Sequence, residues 1–355
     1  MSSELSSLRA TPVPLESATL SRFLRVESED EGGAAQLASV HDALWDLKQA
    51  LALQCVFTVG CCHRARTATV GSRASDGFRG GSDDAATAGS SVIIGIIGGG
   101  VIGGVVAHAL LDAGIPPTAI LMSTRSPRRQ SELAARGVAV FFDNALVASR
   151  AHVLLVAVLP CQMAELARTL RPPAHAVVLS LAGAVPLAKV RSLFGAPSAL
   201  TSGADTTLPL LQSAQAERRE DQELLLGGAA PPESGVVSTG RLPDEEVLEL
   251  AARGFFADAG CVARLVEALR VMLSDFELPT ALVSSAALEA VFGAQSGEAL
   301  SALAVELETV GTQPPSEPPH SVSGHELIAM REKSAQASEA VQCARAAFLR
   351  RIRGE

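Results

Sequence analysis

The stretch "IIGIIGGGVIGGVVAHALLDAG", residues 93–114, holds seven glycines and no ionisable side chain before His108. Such a run either crosses lipid or wraps an anion, and the fold depends on which it does. Gly99/Gly103 and Gly100/Gly104 match the G-x-x-x-G pattern of packed membrane helices. Against that reading, three successive glycines at 98–100 weaken a helix by about 1 kcal/mol each relative to alanine. His108 and Asp112 also cut the apolar run short of a span. The other reading is strand, tight turn, helix. Gly98-Gly99-Gly100-Val101-Ile102-Gly103 is G-x-G-x-x-G, set between the apolar "SVIIGII" (91–97) and a segment with helical spacing at Val106, Leu110 and Ala113. There Gly98 makes the sharp turn, Gly100 admits a pyrophosphate to the backbone, and Gly103 lets helix lie close on strand. The free amides of Val101, Ile102 and Gly103 then hold the anion together with the helix dipole.

The residues downstream decide between the two. Further apolar runs, "AILMS" (119–123), "VAVFF" (138–142), "HVLLVAV" (152–158) and "HAVVLSL" (175–181), alternate with helical spacings at Leu133 and Ala134 and at Leu166 and Leu170. Short strands buried on both faces with crossover helices make a doubly wound parallel sheet. The fold class is therefore α/β: a Rossmann-type cofactor domain at 91–194 followed by a mostly helical domain.

Before it, residues 1–90 read as an extension with one helix and a flexible linker. In 34–57, Leu37, Val40, Leu44, Leu47 and Leu51 recur at three and four, an amphipathic helix. The Gly/Ser/Ala/Thr-rich 64–90 lacks apolar periodicity and reads as the linker. After it, 195–242 is an irregular connection and 243–311 is helical, with a stripe of Val262, Leu265, Val266, Leu269 and Leu273. Residues 312–324 form a Pro-rich linker. One last helix, 325–355, opens on a capping-box match from Ser323 to Glu326 and carries Ala337, Val341, Ala344, Phe348 and Ile352 on one face.

Composition narrows the partners. A formal net charge of −9 excludes the basic face that nucleic-acid binding needs. With no tyrosine and 3% aromatic residues, the core must come from Ala, Val and Leu. The six cysteines lack the dense spacing of a disulfide framework, and the first twenty residues lack the basic-then-apolar order of a secretory leader. Together these place the chain in the cytoplasm, with no membrane or nucleic-acid partner and a small molecule as substrate. Cys61-Cys62-His63, with Cys55 as neighbour, lacks the paired spacing of a zinc site, so no metal is expected. His108 reads as a packed or surface residue and Cys161 as a small apolar filler just past a strand end.

A dinucleotide site that selects NAD places a carboxylate on the ribose, about 20 residues after the glycines. Here that place reads "MSTRSPRR". Ser123, Thr124 and Arg125 offer hydroxyls and a guanidinium with no carboxylate beside them, a pattern that accepts a 2′-phosphate through a charge-assisted fork. Ser126, Arg128 and Arg129 are possible helpers. The cofactor expected is NADP.

"IGIIGGGVIG", "STRSP", "DNALVASRAHVLLVAVLPCQ" and "VVLSLAGAVPLAKVRSL" together resemble the pyrroline-5-carboxylate reductase family over residues 92–194. By that resemblance "VAVLP" (156–160) is the strand-end loop facing the cofactor, so Val158, Leu159 and Pro160 approach the nicotinamide end. Ser180-Leu181-Ala182-Gly183 looks like the family's nicotinamide-side segment, which gives Ala182 and Gly183 the same role, and Asn144 matches a residue on the adenosine side. The resemblance implies hydride transfer between NADPH and a C=N or C=O carbon, and a homodimer built from the carboxy-terminal helices. Those helical stripes equally suit an intramolecular core. Past residue 195 the family's R-x-M-P-N-x-P and G-S-G-P-A segments have no recognisable equivalent, which leaves a non-catalytic NADP-binding protein as the alternative. The S-x-R-S style of phosphate loop also suits electron transfer to a deazaflavin-like partner. No proton donor can be named.

Overall fold

The computed structural model describes residues 31–75, 92–226, 241–276, 278–293, 295, 297–311 and 324–355. Residues 1–30, 76–91 and the Pro-rich 312–323 lie outside that set, as do the side chains of 31–39, Leu37 among them. The expectations for those stretches lie outside the described residues.

The sheet has six parallel strands in the order β3-β2-β1-β4-β5-β6. They are β1 (Ile94–Ile97), β2 (Ile120–Ser123), β3 (Ala139–Phe141), β4 (Val153–Val156), β5 (Val177–Ser180) and β6 (Ala199–Thr201). Five of the six lie within the apolar runs that the sequence marks as strands. Their side chains alternate between two cores, as a pleated strand covered on both faces requires. Ile94, Ile96, Ile120, Met122, Val153, Leu155, Val177 and Leu179 belong to the larger core. Ile97, Leu121, Leu154, Val156 and Val178 belong to the smaller.

The helices, in chain order, are α1 (Glu31–Ser75), α2 (Val101–Asp112), α3 (Ser131–Ala135), α4 (Asn144–Arg150), α5 (Pro160–Thr169), α6 (Leu187–Phe194) and α7 (Ala204–Leu226). The remainder are α8 (Asp244–Phe255), α9 (Ala259–Leu273), α10 (Thr280–Phe292), α11 (Gly297–Gly311), α12 (Gly324–Ala337) and α13 (Glu339–Arg353). Helices α4, α5 and α6 cover the smaller core through Val147, Met163, Leu166, Val190 and Phe194.

The structure departs from the sequence reading at three places. First, α1 is a single helix of 45 residues, so 64–75 is helical rather than part of a flexible linker. It runs through the middle of the larger core. Ala50, Gln54, Cys55, Phe57, Thr58, Val59, Cys61, Cys62 and Ala65 are all at most 2% exposed. The expected stripe is displaced: Val40 and Leu44 are exposed, while Leu51 is buried. The reason is that α1 is covered on several sides, by α2, α7, α8 and α10, so its buried positions do not form one face. Second, 195–242 is not irregular at its start, because it carries β6 and the 23-residue α7. Third, the expected last helix is two. Ser338 breaks it, its hydroxyl accepting from Val341 N as an N-cap, which leaves Ala337 exposed while Val341, Ala344 and Phe348 are buried.

The stripe of α9, Val262, Leu265, Val266, Leu269 and Leu273, packs into the chain's own core. Of the two uses left open for it, the fold adopts the intramolecular one. Aromatic contacts tie the ends of the chain together. Phe57 of α1 meets Phe256 edge-on at 5.7 Å and Phe348 of α13 at 4.9 Å. Among the described residues no helix is long and apolar enough to cross a membrane.

Candidate functional site

Parallel strands in register end together. Ile97 pairs with both Ser123 and Val156, Val156 with Ser180, and Ser180 with Thr201. The next residues along each strand, Gly98, Thr124, Ala157, Leu181 and Ser202, therefore share one edge. Because the chain goes to β2 on one side of β1 and to β4 on the other, the connections diverge between β1 and β4. In open α/β sheets that divergence is where ligands enter.

Gly98 turns with φ +103°, where a Cβ would stand 2.4 Å from the carbonyl oxygen of Ala157. Gly98 N and Gly99 N both donate to Ser123 O at 3.0 Å, which fastens the turn to the end of β2. A Cβ on Gly103 would come 2.0 Å from Gly98 O, so α2 can begin this close to the strand only without a side chain there. Gly100, by contrast, faces open space. It is the N-cap of α2, no side chain caps the helix, and the first turn holds no acid. The amides of Val101, Ile102 and Gly103 have no partner within a helix that starts there. A helix start of this kind can hold an anion, and the residues present fit a pyrophosphate.

The elements around the cradle bring most of the expected residues to one rim. Thr124 lies against Gly99, whose notional Cβ would be 2.8 Å from Thr124 Cβ, and Thr124 N donates to Phe141 O at the end of β3. Arg125 and Ser126 are exposed beside it, and Arg128 and Arg129 lie exposed one turn further. Val158 Cγ1 would be 3.1 Å from a Cβ on Gly98, while Leu159 and Pro160 project at the start of α5, where Gln162 Oε1 accepts from Leu159 N at 3.4 Å. Asn144 opens α4, next to Asp143, whose carboxylate caps the helix through Ala145 N and Leu146 N. Ala182 is buried and Gly183 half-buried just past β5.

Ser123 does not reach the rim. Its side chain is fully buried at the end of β2, and its hydroxyl has no partner among the described residues. What it contributes to the turn is its backbone carbonyl, which accepts from Gly98 N and Gly99 N. Cys161 is exposed rather than an apolar filler. His108 sits in a surface network, with Arg136 Nη1 at 2.9 Å from its Nδ1 and Arg136 Nη2 donating to Asp112 at 2.8 Å. Cys61 and Cys62 face the core while His63 is exposed, so the three do not converge.

Several residues of this region escaped the sequence reading. Gln130 Nε2 donates to Gly99 O at 2.7 Å and braces the cradle from the far side of the phosphate loop. Asp205 Oδ1 accepts from Ala184 N at 2.7 Å and holds Ala184 in a left-handed conformation, φ +59°, next to Gly183. Thr206 accepts from Arg331 Nη1 of α12 at 3.2 Å. Nothing local marks Asp205 and Thr206, because their partners are 21 and 125 positions away.

A parallel sheet in this strand order with a glycine turn at its divergence defines a Rossmann-type domain. Residues 93–183 match the family described as "NADP oxidoreductase coenzyme F420-dependent", in a chain of 355. The mouse protein "NADP-dependent oxidoreductase domain-containing protein 1" is 37% identical over 114 residues, which is 31% of this chain and 31% of that one. Its similarity thus spans about a third of either protein. The resemblance read from the motifs extends over much the same segment as these similarities. Among solved structures, a pyrroline-5-carboxylate reductase from Coxiella burnetii is 18% identical, covering 74% of this chain and 98% of its own, with a TM-score of 0.31. A Plasmodium falciparum pyrroline carboxylate reductase with NADP bound is 13% identical, covering 74% and 97%, with a TM-score of 0.28. Superpositions this loose decide nothing about chemistry.

Proposed function

We propose that this chain is an NADP-dependent oxidoreductase that transfers hydride between NADPH and the C=N or C=O carbon of a small molecule. The observation that carries the reading is the uncapped, acid-free start of α2 behind Gly100, with Thr124 and Arg125 on its rim. Val101, Ile102 and Gly103 would hold the pyrophosphate through their amides. Thr124 and Arg125 would hold the 2′-phosphate, for which an exposed guanidinium without a competing carboxylate is suited. Asn144 would face the adenosine side, and Val158, Leu159, Pro160, Ala182 and Gly183 would flank the nicotinamide. When bound, the nicotinamide supplies the hydride chemistry. The chain's own residues orient the acceptor and exclude water: Leu159 and Pro160 overhang the strand ends, and Asp205 fixes the Gly183–Ala184 turn. Action in the cytoplasm is part of this proposal.

Calorimetric titration with NADPH and NADH tests binding, and oxidation of NADPH with pyrroline-5-carboxylate, other imines and carbonyls tests turnover. Tight NADPH binding with turnover on any of these is the expected result. Absence of heat with both coenzymes overturns the proposal, and binding without turnover favours the non-catalytic alternative. A deazaflavin acceptor is a second reading, supported by the description of the matching family, and adding one to the same assay separates the two.

A further inference from the structure

Two cavities on the other side of the molecule carry a separate site. A cavity of about 400 Å³ is lined by Val59, His63 and Arg64 of α1, Val92 and Ile94 at the start of β1, and the Gly114–Ala119 loop. A second, of about 170 Å³, shares Gly60, Arg64 and Ile115 with it and adds Phe57, Arg351 and Ile352. Both lie at the amino ends of β1 and β2, opposite the glycine cradle, so they form no part of the dinucleotide site.

Among the described residues their charges meet no carboxylate, and Arg351 lies over the ring of Phe57, 5.3 Å from its centroid. Arg64 Nη2 and Arg351 Nη1 each lie 3.5 Å from Cys61 Sγ, so the two guanidinium groups face one another across a single sulfur atom. Burial pushes the Cys61 thiol above its ordinary range, with the two arginines opposing, so at neutral pH it is a thiol and no counter-charge. Among the described residues neither arginine forms an ion pair with a carboxylate. The remaining acceptors are two backbone carbonyls at long range, Ala290 O at 3.5 Å from Arg64 and Glu289 O at 3.4 Å from Arg351. Arg64 Nε is buried with no hydrogen-bond partner among the described residues. The carbonyls that end α2 beside the cavity are already taken, Leu111 O by Gly114 N and Leu110 O by Ile115 N. Burial lowers the affinity of Arg351 for its proton; Cys61 opposes this, and the neighbouring Arg64 adds to the lowering.

Two half-buried cations without an anion are costly, and a bound anion removes that cost. The wall around them is apolar: Phe57, Val59, Val92, Ile94, Ile115 and Ile352. We propose that the joined cavities bind a small amphipathic carboxylate, its head group against Arg64 and Arg351 and its aliphatic body along Val59 and Ile115. A volume of this size is that of a ligand pocket.

The test uses the full chain and octanoate, with octan-1-ol and inorganic phosphate as the comparison probes, read by thermal shift and calorimetry. Octanoate is expected to bind saturably and raise the melting temperature, octan-1-ol and phosphate to bind at least roughly tenfold more weakly, and NADPH titration to be unchanged by octanoate. Arg351→Gln and Arg64→Gln should each weaken octanoate roughly tenfold or more, as loss of a charged hydrogen bond does. Arg351→Lys, which keeps the charge, should retain part of the binding, and it carries the test if either glutamine variant fails to fold. No octanoate binding, equal binding of octan-1-ol, binding of phosphate alone, or binding unaltered in the arginine variants would each overturn the proposal. Its outcome is independent of the coenzyme titration.

Discussion

At the scale of single residues, the cradle rests on contacts that a methyl group would break. A Cβ on Gly103 has nowhere to go, with Gly98 O at 2.0 Å, whereas Gly104, the next residue, has nothing within 4 Å. Gly103→Ala is therefore expected to push α2 off β1, lowering stability by about 1–3 kcal/mol and abolishing coenzyme binding. Gly104→Ala should be neutral or stabilising by up to about 1 kcal/mol, since alanine is the better helix former. Denaturant melts of the two variants check this, and equal losses would contradict the packing argued for Gly103. Arg125→Ala should weaken NADPH by about 10–100-fold and leave NADH unchanged, as removal of a charged partner of the 2′-phosphate does. Equal losses for both coenzymes would remove Arg125 from that role. The glycines were legible in the sequence because their spacing is a local pattern, although Gly98 also answers to Ala157 O across the sheet. The buried orientation of Ser123 was not, because it depends on where β2 stops.

At the scale of elements, α1 is where sequence and structure differ most. Its interior carries polar groups that a merely peripheral helix would leave in water. Gln54 Nε2 donates to Thr207 Oγ1 at 3.2 Å and to Ala251 O at 3.0 Å, and its Oε1 accepts from Gly203 N at 3.1 Å. One side chain thus joins α1 to the β6–α7 turn and to α8. Asp46 accepts from Gln215 Nε2 and from Leu242 N, and burial raises its carboxyl pKa above the ordinary value. Gln54→Leu, close in volume, leaves the Gly203 amide and the Ala251 carbonyl without this partner, and it should cost about 1–3 kcal/mol per orphaned group. A melting temperature unchanged in that variant would show that the helix is not held through this residue. Since Gly203 precedes Asp205, the same variant should also loosen the turn at Gly183 and raise the KM for the acceptor more than that for the coenzyme.

At the scale of the whole molecule, His152 links the sheet to the helical layer and sets an acid limit. Its Nδ1 accepts from Ile93 N at 2.9 Å, while its ring lies 6.0 Å from that of His175, which pairs with Asp275. Burial, then Arg66 and His175, lower its pKa to about 4, against a partial opposing pull from Asp275. The folded form therefore takes up this proton later than the unfolded chain does. Stability from this group is complete above about pH 6.5 and is lost as the pH falls towards 4, by an amount that solvent at the half-exposed ring reduces. His152→Gln, which keeps an acceptor for Ile93 N, should flatten that limb of the stability profile. An identical slope in the variant would assign the acid sensitivity elsewhere.

A few neighbouring residues sufficed to impose five strands from apolar runs, the glycine turn from its spacing, and the stripe of α9 from its period. Each of these is a short-range steric or periodic constraint, readable without knowing what lies across the core. The tertiary structure alone decided the rest. α1 shows no single apolar face because it is covered on several sides, so the central helix of the protein looked partly like a linker. β6 is three residues long and becomes a strand only because β5 offers its free edge. The α9 stripe could have met another chain as readily as its own, and only the placement of the helices around α1 shows that it is buried within one.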